Sequence, residues 1–333
     1  MQTTSIQVMN LCVSCENRCR YCLLSYDGKI NGVPYEQSQD YARWFHGWLQ
    51  ENRPELSFVF GFGYSMDHPD LLCAIDFLRR IASPTGEFLQ FDGMRFRNEK
   101  EIRELLKNLL AHGIRLIDLT FYGTEDYHDR FAARRGDYRY MMEILKIANE
   151  TGLPVHVSIP INHENAGQME ELLSALHARQ TQGIRLFVPH GEGRGETLED
   201  IRFSAQDDAL LSQAAKAYFP SNRFRPEKDW LQETELPVFE KRALAVTLTK
   251  DNVDFFEKLP FDETIAYLEK LDEDYHAALP DFRALGRLYG DASGEKFYSY
   301  RDLLMKYQRQ HIRENHLHLH DVHDERQCFI RRY

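Results

Sequence analysis

What this chain lacks narrows its class before any motif is read. Its 333 residues contain no apolar run of about 18 residues, so no membrane-spanning helix and no membrane partner are expected. Met1 to Asn10 is polar and has no apolar core of a secretory leader, which points to the cytoplasm. Positive charge is in deficit, with 41 Lys and Arg against 52 Asp and Glu, a formal net charge of −11. A general nucleic-acid surface carries the opposite sign, so neither DNA nor RNA is an expected partner. No internal repeat and no low-complexity tract occurs. Cysteine is scarce, yet four of the six, Cys12, Cys15, Cys19 and Cys22, fall within eleven residues. In a reducing compartment such crowding signals metal more often than disulfide. Cys73 and Cys328 stand alone, so the thiols of a second cluster are missing.

What is present is a globular composition, 43% hydrophobic, with ample material for one large α/β domain and an appendage. From residue 6 to about 200, short apolar runs alternate with amphipathic helical stretches. Strands are expected at Ser5–Cys12, Leu56–Phe62, Phe88–Phe91, Arg115–Tyr122, Pro154–Ile161 and Ile184–Val188. Helices are expected at Tyr41–Leu49, Pro69–Ile81, Glu99–His112, Tyr138–Thr151 and Asn165–Arg179, with Gly113, Gly152 and Gly183 as terminators. Six strands separated by helices imply parallel β/α units, whose ligands gather at the carboxyl ends of the strands. The fold expected is a partial (β/α)6 barrel over residues 1–203. Residues 204–333 read as a mainly helical extension, a candidate substrate cap, with helices at Phe255–Lys258, Glu263–His276, Leu279–Tyr289 and Tyr300–Glu314.

Cys15, Cys19 and Cys22 form a C-x3-C-x2-C loop directly after the first strand. Soft thiolate donors select iron–sulfur clusters or zinc, and three on a short loop suit three corners of a cubane. Cys12 would complete a four-thiolate zinc site, C-x2-C-x3-C-x2-C, so a zinc-stapled binding protein without catalysis is the competing reading. Against it, Cys12 falls where the first strand should still run, facing a core in which a lone cysteine is ordinary.

The spacing, with aromatic Tyr21 just before the last cysteine, resembles the signature of the radical S-adenosylmethionine (radical SAM) superfamily. The resemblance spans roughly residues 6 to 200. Gly61-Phe62-Gly63-Tyr64, Leu119 to Gly123 with His128-Asp129-Arg130, and Pro160 to Asn162 support it. It implies a [4Fe–4S] cluster on Cys15, Cys19 and Cys22, with S-adenosylmethionine chelating the open iron. It implies reductive cleavage of that cofactor to a 5′-deoxyadenosyl radical, which takes hydrogen from an organic substrate. Such chemistry is oxygen-sensitive and draws its electron from a reducing protein such as flavodoxin or ferredoxin.

The resemblance also suggests roles residue by residue. Gly61 and Gly63 would let the backbone approach the methionine amino group, and Tyr64 stands where the family has glutamate, which puts that side-chain contact in doubt. Thr120 and Tyr122 would reach the ribose or adenine. Arg134 or Arg135 would pair with the methionine carboxylate, and Asn162 would meet the ribose. Val188 and Pro189, in the turn before Gly195, would line the base.

Other features read as structure. Asp70 complements a helix dipole, Cys73 sits on an amphipathic helix, and Tyr289, Phe297, Tyr298 and Tyr300 suit the core of the appendage. His316, His318 and His320 alternate at strand period, with His323 and Asp324 beyond them, and would face one way. The expected substrate is a small metabolite, a natural-product intermediate or a peptide. A family member that keeps the cluster without turnover is a further alternative, kept open by Tyr64.

Overall fold

The first strand, β1 (Gln2–Asn10), is buried on both faces from Ser5 to Asn10, as a strand inside a parallel sheet must be. The computed structural model describes residues 1–23, 30–61, 66–81, 87–238 and 241–319. After β1 come α1 (Tyr35–Asn52), β2 (Ser57–Gly61), α2 (Leu71–Ile81), β3 (Phe88–Gln90), α3 (Glu99–Ala111) and β4 (Leu116–Thr120). Then follow α4 (Glu125–Ala132), α5 (Asp137–Thr151), β5 (Val155–Pro160), α6 (Met169–His177) and β6 (Gly183–Phe187).

Local chemistry sets these limits. Asn98 and Glu101 close a reciprocal capping box at the start of α3. Gly152 ends α5 at φ +76°, where its missing Cβ removes the left-handed penalty. On α2, Leu71, Ala74, Ile75 and Phe77 form the buried stripe, with Leu72 and Leu78 packed at its margin. The helix expected from Tyr41 begins six residues earlier, at Tyr35 behind Pro34, whose fixed φ suits a helix entry.

All the pairings among β1 to β6 are parallel. Four strands run in the order β3-β4-β5-β6. Among the described residues no ladder joins β2 to β3, so the sheet is an open arc in two pieces. The second piece holds a departure from the sequence expectation. Beyond residue 204 the chain forms α7 (Ala205–Asp208), α8 (Gln213–Lys216), β7 (Phe224–Pro226), α9 (Glu227–Gln232) and then a long strand, β8 (Lys241–Leu248). β8 pairs in parallel with β1 from Gln2↔Lys241 to Asn10↔Leu248, giving the order β2-β1-β8. The extension read as helical therefore supplies the sheet with a strand, and β1 has neighbours on both sides.

The rest of the extension is helical as expected: α10 (Val253–Lys258), α11 (Phe261–Ala278), α12 (Phe282–Tyr289) and α13 (Tyr300–Glu314), with a small antiparallel pair of β7 and β9 (Phe297–Ser299). Phe261 of α11 stacks on Phe45 of α1 with ring centroids 4.5 Å apart. Tyr298, Tyr289 and Tyr300 belong to a core of the extension built with Trp230, Phe282 and Leu285, and Phe297 joins the main core. His316 takes φ +50° after α13 and residues 317–319 make no strand, so the expected histidine strand does not form there. His320, His323, Asp324 and Cys328 lie outside the described residues. Cys73 is exposed on α2 rather than packed in the core. No helix among the described residues is long and apolar enough to cross a membrane.

Candidate cluster and cofactor site

The cysteine loop begins where β1 stops. Asn10, fully buried, donates from Nδ2 to the Val33 carbonyl at 3.0 Å and to Ser38 Oγ at 2.7 Å, which fixes the departure of the chain. Backbone hydrogen bonds then clamp the loop from three directions. Glu16 N–H donates to the Gly93 carbonyl beyond β3, at 2.7 Å. Arg18 and Arg20 N–H donate to the Ala132 and Phe131 carbonyls at the end of α4, at 2.8 and 3.0 Å. On the third side, Arg194 N–H donates to the Cys22 carbonyl at 3.0 Å from the segment after β6. Two glycines make the clamp possible. Gly93, at φ +67°, lies against Cys15, and a Cβ there would collide with the Cys15 sulfur. Gly193, at φ +57°, has the Cys22 and Leu23 carbonyls in the same position.

Beneath the loop is a buried polar pillar. Asn17 Nδ2 donates to Asp137 Oδ2 at 3.1 Å, and Arg134 bridges Asp137 Oδ1 and Asn17 Oδ1 at 3.1 and 3.3 Å. His128 Nε2 lies 3.1 Å from Asp137, while its Nδ1 is 3.2 Å from the Tyr122 N–H. A backbone amide only donates, so Nδ1 accepts and the geometry assigns the ring proton to Nε2, facing Asp137. Arg134 also lies 3.8 Å over the Phe96 ring. Its guanidinium is thus engaged in shaping the loop, and Arg135 is exposed on the same link.

Above the pillar the expected residues converge in part. Tyr122 places its hydroxyl 3.0 Å from the Cys19 sulfur. Tyr21 packs by its ring on Tyr122, Phe131 and Phe187, with centroids 5.6, 6.0 and 6.3 Å away. Thr120, at the end of β4, donates from its N–H and Oγ1 to the two carboxylate oxygens of Asp92, at 3.0 and 2.7 Å. Asp92 is a residue that sequence reasoning missed. Its signal is slight, an acid and a glycine after a three-residue strand, which reads as an ordinary turn. Burial pushes its carboxyl up to about 7, against the lowering effect of the Thr120 hydrogen bonds.

The remaining expected positions divide. Asn162 is buried, and its Oδ1 accepts from Tyr127 Oη at 3.0 Å and Glu164 N–H at 2.9 Å. Its Nδ2 has no hydrogen-bond partner among the described residues. Val188 and Pro189 are buried at the end of β6. Gly61 ends β2, and the need for glycine there has a local cause, since a Cβ would strike the Met9 sulfur. Gly63 and Tyr64 lie outside the described residues.

The thiols themselves separate Cys12 from the other three. Burial pushes Cys15 up to about 11 and Cys19 higher still; the charges of Cys15 and Cys22 add to the rise at Cys19, and that of Cys22 to the rise at Cys15. Cys12 is also pushed up to about 11 by burial, but the acid that adds to its shift is Glu36, and it packs against the main core. Cys15, Cys19 and Cys22 therefore feel one another, whereas Cys12 belongs to the core beside β1. Among the described residues no three His, Cys, Asp or Glu side chains are already drawn together around a metal ion. An iron–sulfur cubane takes thiolate ligands at three of its corners. The three soft donors on one clamped loop fit that group.

A search of curated proteins by sequence gives no match. The family profile described as "Radical SAM superfamily" matches residues 9–176. Among solved structures, Streptococcus suis SuiB bound to precursor peptide SuiA aligns with 80% of this chain and 67% of its own, at 11% identity and TM-score 0.48. SuiB bound to S-adenosylmethionine aligns with 73% of this chain and 59% of its own, at 14% identity and TM-score 0.48. Coproporphyrinogen III oxidase (HemN) from Escherichia coli aligns with 64% of this chain and 48% of its own, at 14% identity and TM-score 0.35. The chain thus spans about half to two thirds of the length of these structures. With the profile covering half of the sequence and the cysteine loop inside it, this chain belongs to the radical SAM superfamily.

Proposed function

We propose that the chain is an enzyme that reductively cleaves S-adenosylmethionine and removes a hydrogen atom from a small metabolite, a natural-product intermediate or a peptide. The observation that carries this reading is the loop of Cys15, Cys19 and Cys22, clamped from three sides, with Cys12 set apart in the core. When bound, the cluster supplies the electron that splits the sulfonium C–S bond, a step no amino-acid side chain can drive.

The chain's own residues do the rest. Cys15, Cys19 and Cys22 hold the cluster. The Cys15 and Cys19 thiols, kept protonated by burial, must lose their protons on loading, so loading is favoured by higher pH. Tyr21, Phe131 and Phe187 wall the site with apolar rings and keep water from a reactive intermediate. The Asp92–Thr120 pair presents polar groups at the ends of β3 and β4, suited to hydroxyl or ammonium donors of a bound cofactor. A reducing protein of flavodoxin or ferredoxin type is the expected electron donor.

The test is anaerobic reconstitution with iron and sulfide, followed by dithionite and S-adenosylmethionine. About four irons per chain and release of 5′-deoxyadenosine are expected. Colourless protein that holds zinc and no iron would sink the proposal. Cys15→Ala, Cys19→Ala and Cys22→Ala should each abolish cleavage, while Cys12→Ala keeps its iron. Iron loss in Cys12→Ala equal to the other three would show that a fourth ligand had been missed.

A further inference from the structure

We propose that Tyr122 sets the reduction potential of the cluster by donating a hydrogen bond to the Cys19 sulfur, an inference that rests on Cys19 being a cluster ligand. The phenol oxygen lies 3.0 Å from that sulfur, and Tyr122 is only 2% exposed. The ring has nowhere else to go. His128 and Phe131 pack against it with centroids 4.9 Å away, and Tyr21 closes the edge at 5.6 Å. Both backbone groups are tied as well: the N–H donates to His128 Nδ1, and the carbonyl accepts from Asn165 Nδ2 at 2.7 Å. The pillar of Asp137 and His128 thus holds Tyr122 in register with the loop that carries Cys19.

The direction of the bond follows from the chemistry of a ligand. A metal-bound cysteine sulfur carries no proton and can only accept, and a phenol with an ordinary pKa near 10 retains its proton at neutral pH. One added electron makes the sulfur more negative, so the O–H stabilises the reduced state more than the oxidised state. Hydrogen bonds to cluster sulfurs are among the factors that set such potentials, and this one raises it. At Cys19 the donor is a side chain, so the potential is adjustable by a single residue.

The experiment is a redox titration of the reconstituted protein, followed by electron paramagnetic resonance, on wild type and Tyr122→Phe. At the wild-type midpoint, the ratio of reduced to oxidised cluster should fall about tenfold in the variant, equivalent to 59 mV for a one-electron couple. A variant with full iron and an unchanged midpoint overturns the inference while leaving the cluster assignment intact. Should Tyr122→Phe fail to hold iron, 3-fluorotyrosine in place of Tyr122 decides. It keeps the hydroxyl and is a stronger donor, so the midpoint should rise, and an unmoved midpoint overturns the inference. Wild type that takes up no iron would instead defeat the functional proposal itself.

Discussion

Two buried charged groups flank the cysteine loop, and they are built to different standards. Beneath the loop, Asn17, His128, Arg134 and Asp137 satisfy one another, with Asp137 bonded through both oxygens and 2% exposed. Behind the segment after β6, Glu192 is 1% exposed, yet neither carboxylate oxygen makes a hydrogen bond among the described residues. Its cation neighbour, Arg301 of α13, is 3.7 Å away. A buried charge that is fully bonded fixes geometry; one that is only near a counter-charge bears its desolvation uncompensated. The first group is a template for the cysteine loop. The second joins the sheet to the extension, and its Glu192 is the less well bonded carboxylate of the two groups.

The contrast is sharpest for Asp137→Ala, which strips partners from His128, Arg134 and Asn17 together. Breaking a buried pair on one side costs about 3–5 kcal/mol, so a denaturant titration should show that loss and reconstituted iron should fall with it. A loss below about 1 kcal/mol would erase the distinction between the groups.

Asp302 comes next, since it lies in the second group but is well bonded. Burial alone would raise it, but the His190 ring at 2.6 Å, the Arg202 charge and the Ser299 hydroxyl outweigh burial and hold its carboxyl well below the usual range. Its folded pKa is depressed from an unfolded value near 3.9, so its stabilisation is present above that pH and is lost as pH falls below it. Asp302→Asn should cost about 2 kcal/mol at neutral pH and flatten the acid limb of the stability curve. An acid limb identical to wild type would show that another carboxylate governs it.

Gly93→Ala measures how closely the template fits. A non-glycine residue at φ +67° costs about 1–2 kcal/mol before the collision with Cys15 is counted. Thermal melts and iron content should drop together. Retention of both would mean that the loop can yield.

Glu192→Gln should change least. Burial raises its carboxyl, against the pull of Arg301 and His190, so its ionised form costs stability as pH rises through the raised value. The amide removes that cost, and stability at neutral pH should move by no more than about 1 kcal/mol, in either direction. A loss as large as that of Asp137→Ala would make the two groups equals.

The sequence made much of this legible where a signal was local. Short stretches of mostly apolar residues near glycines placed β2, β4, β5 and β6 to within two residues, although β4 carries buried Asp118 and β6 exposed Arg185. The cysteine spacing located the site. What escaped depended on partners far along the chain. β8 reads as Lys-Arg-Ala-Leu-Ala-Val-Thr-Leu, and its second residue, an arginine 4% exposed, bonds Thr3, Asp272 and Glu269. A charge buried by such remote groups looks like surface when only neighbours in sequence are considered. Arg134 is the opposite case. A guanidinium near the site suggested a ligand clamp, whereas its carboxylate partner is three residues away in the same chain. Asp92 was hidden by brevity, since β3 gives three residues of pattern to mark where a strand ends.

The pairing of β8 with β1 has a consequence for the order in which the protein is made. Cys15, Cys19 and Cys22 leave the ribosome well before the strand that flanks β1 on its far side, which begins at Lys241. At about 5–20 residues per second, the loop waits roughly 10–45 s for that strand. During this interval the far edge of β1 is unpaired, with the three thiols in the loop that follows it. The neighbours of β1 are thus complete only after Leu248 has been made, and until then the three thiols stand open to oxidation and misplaced metal.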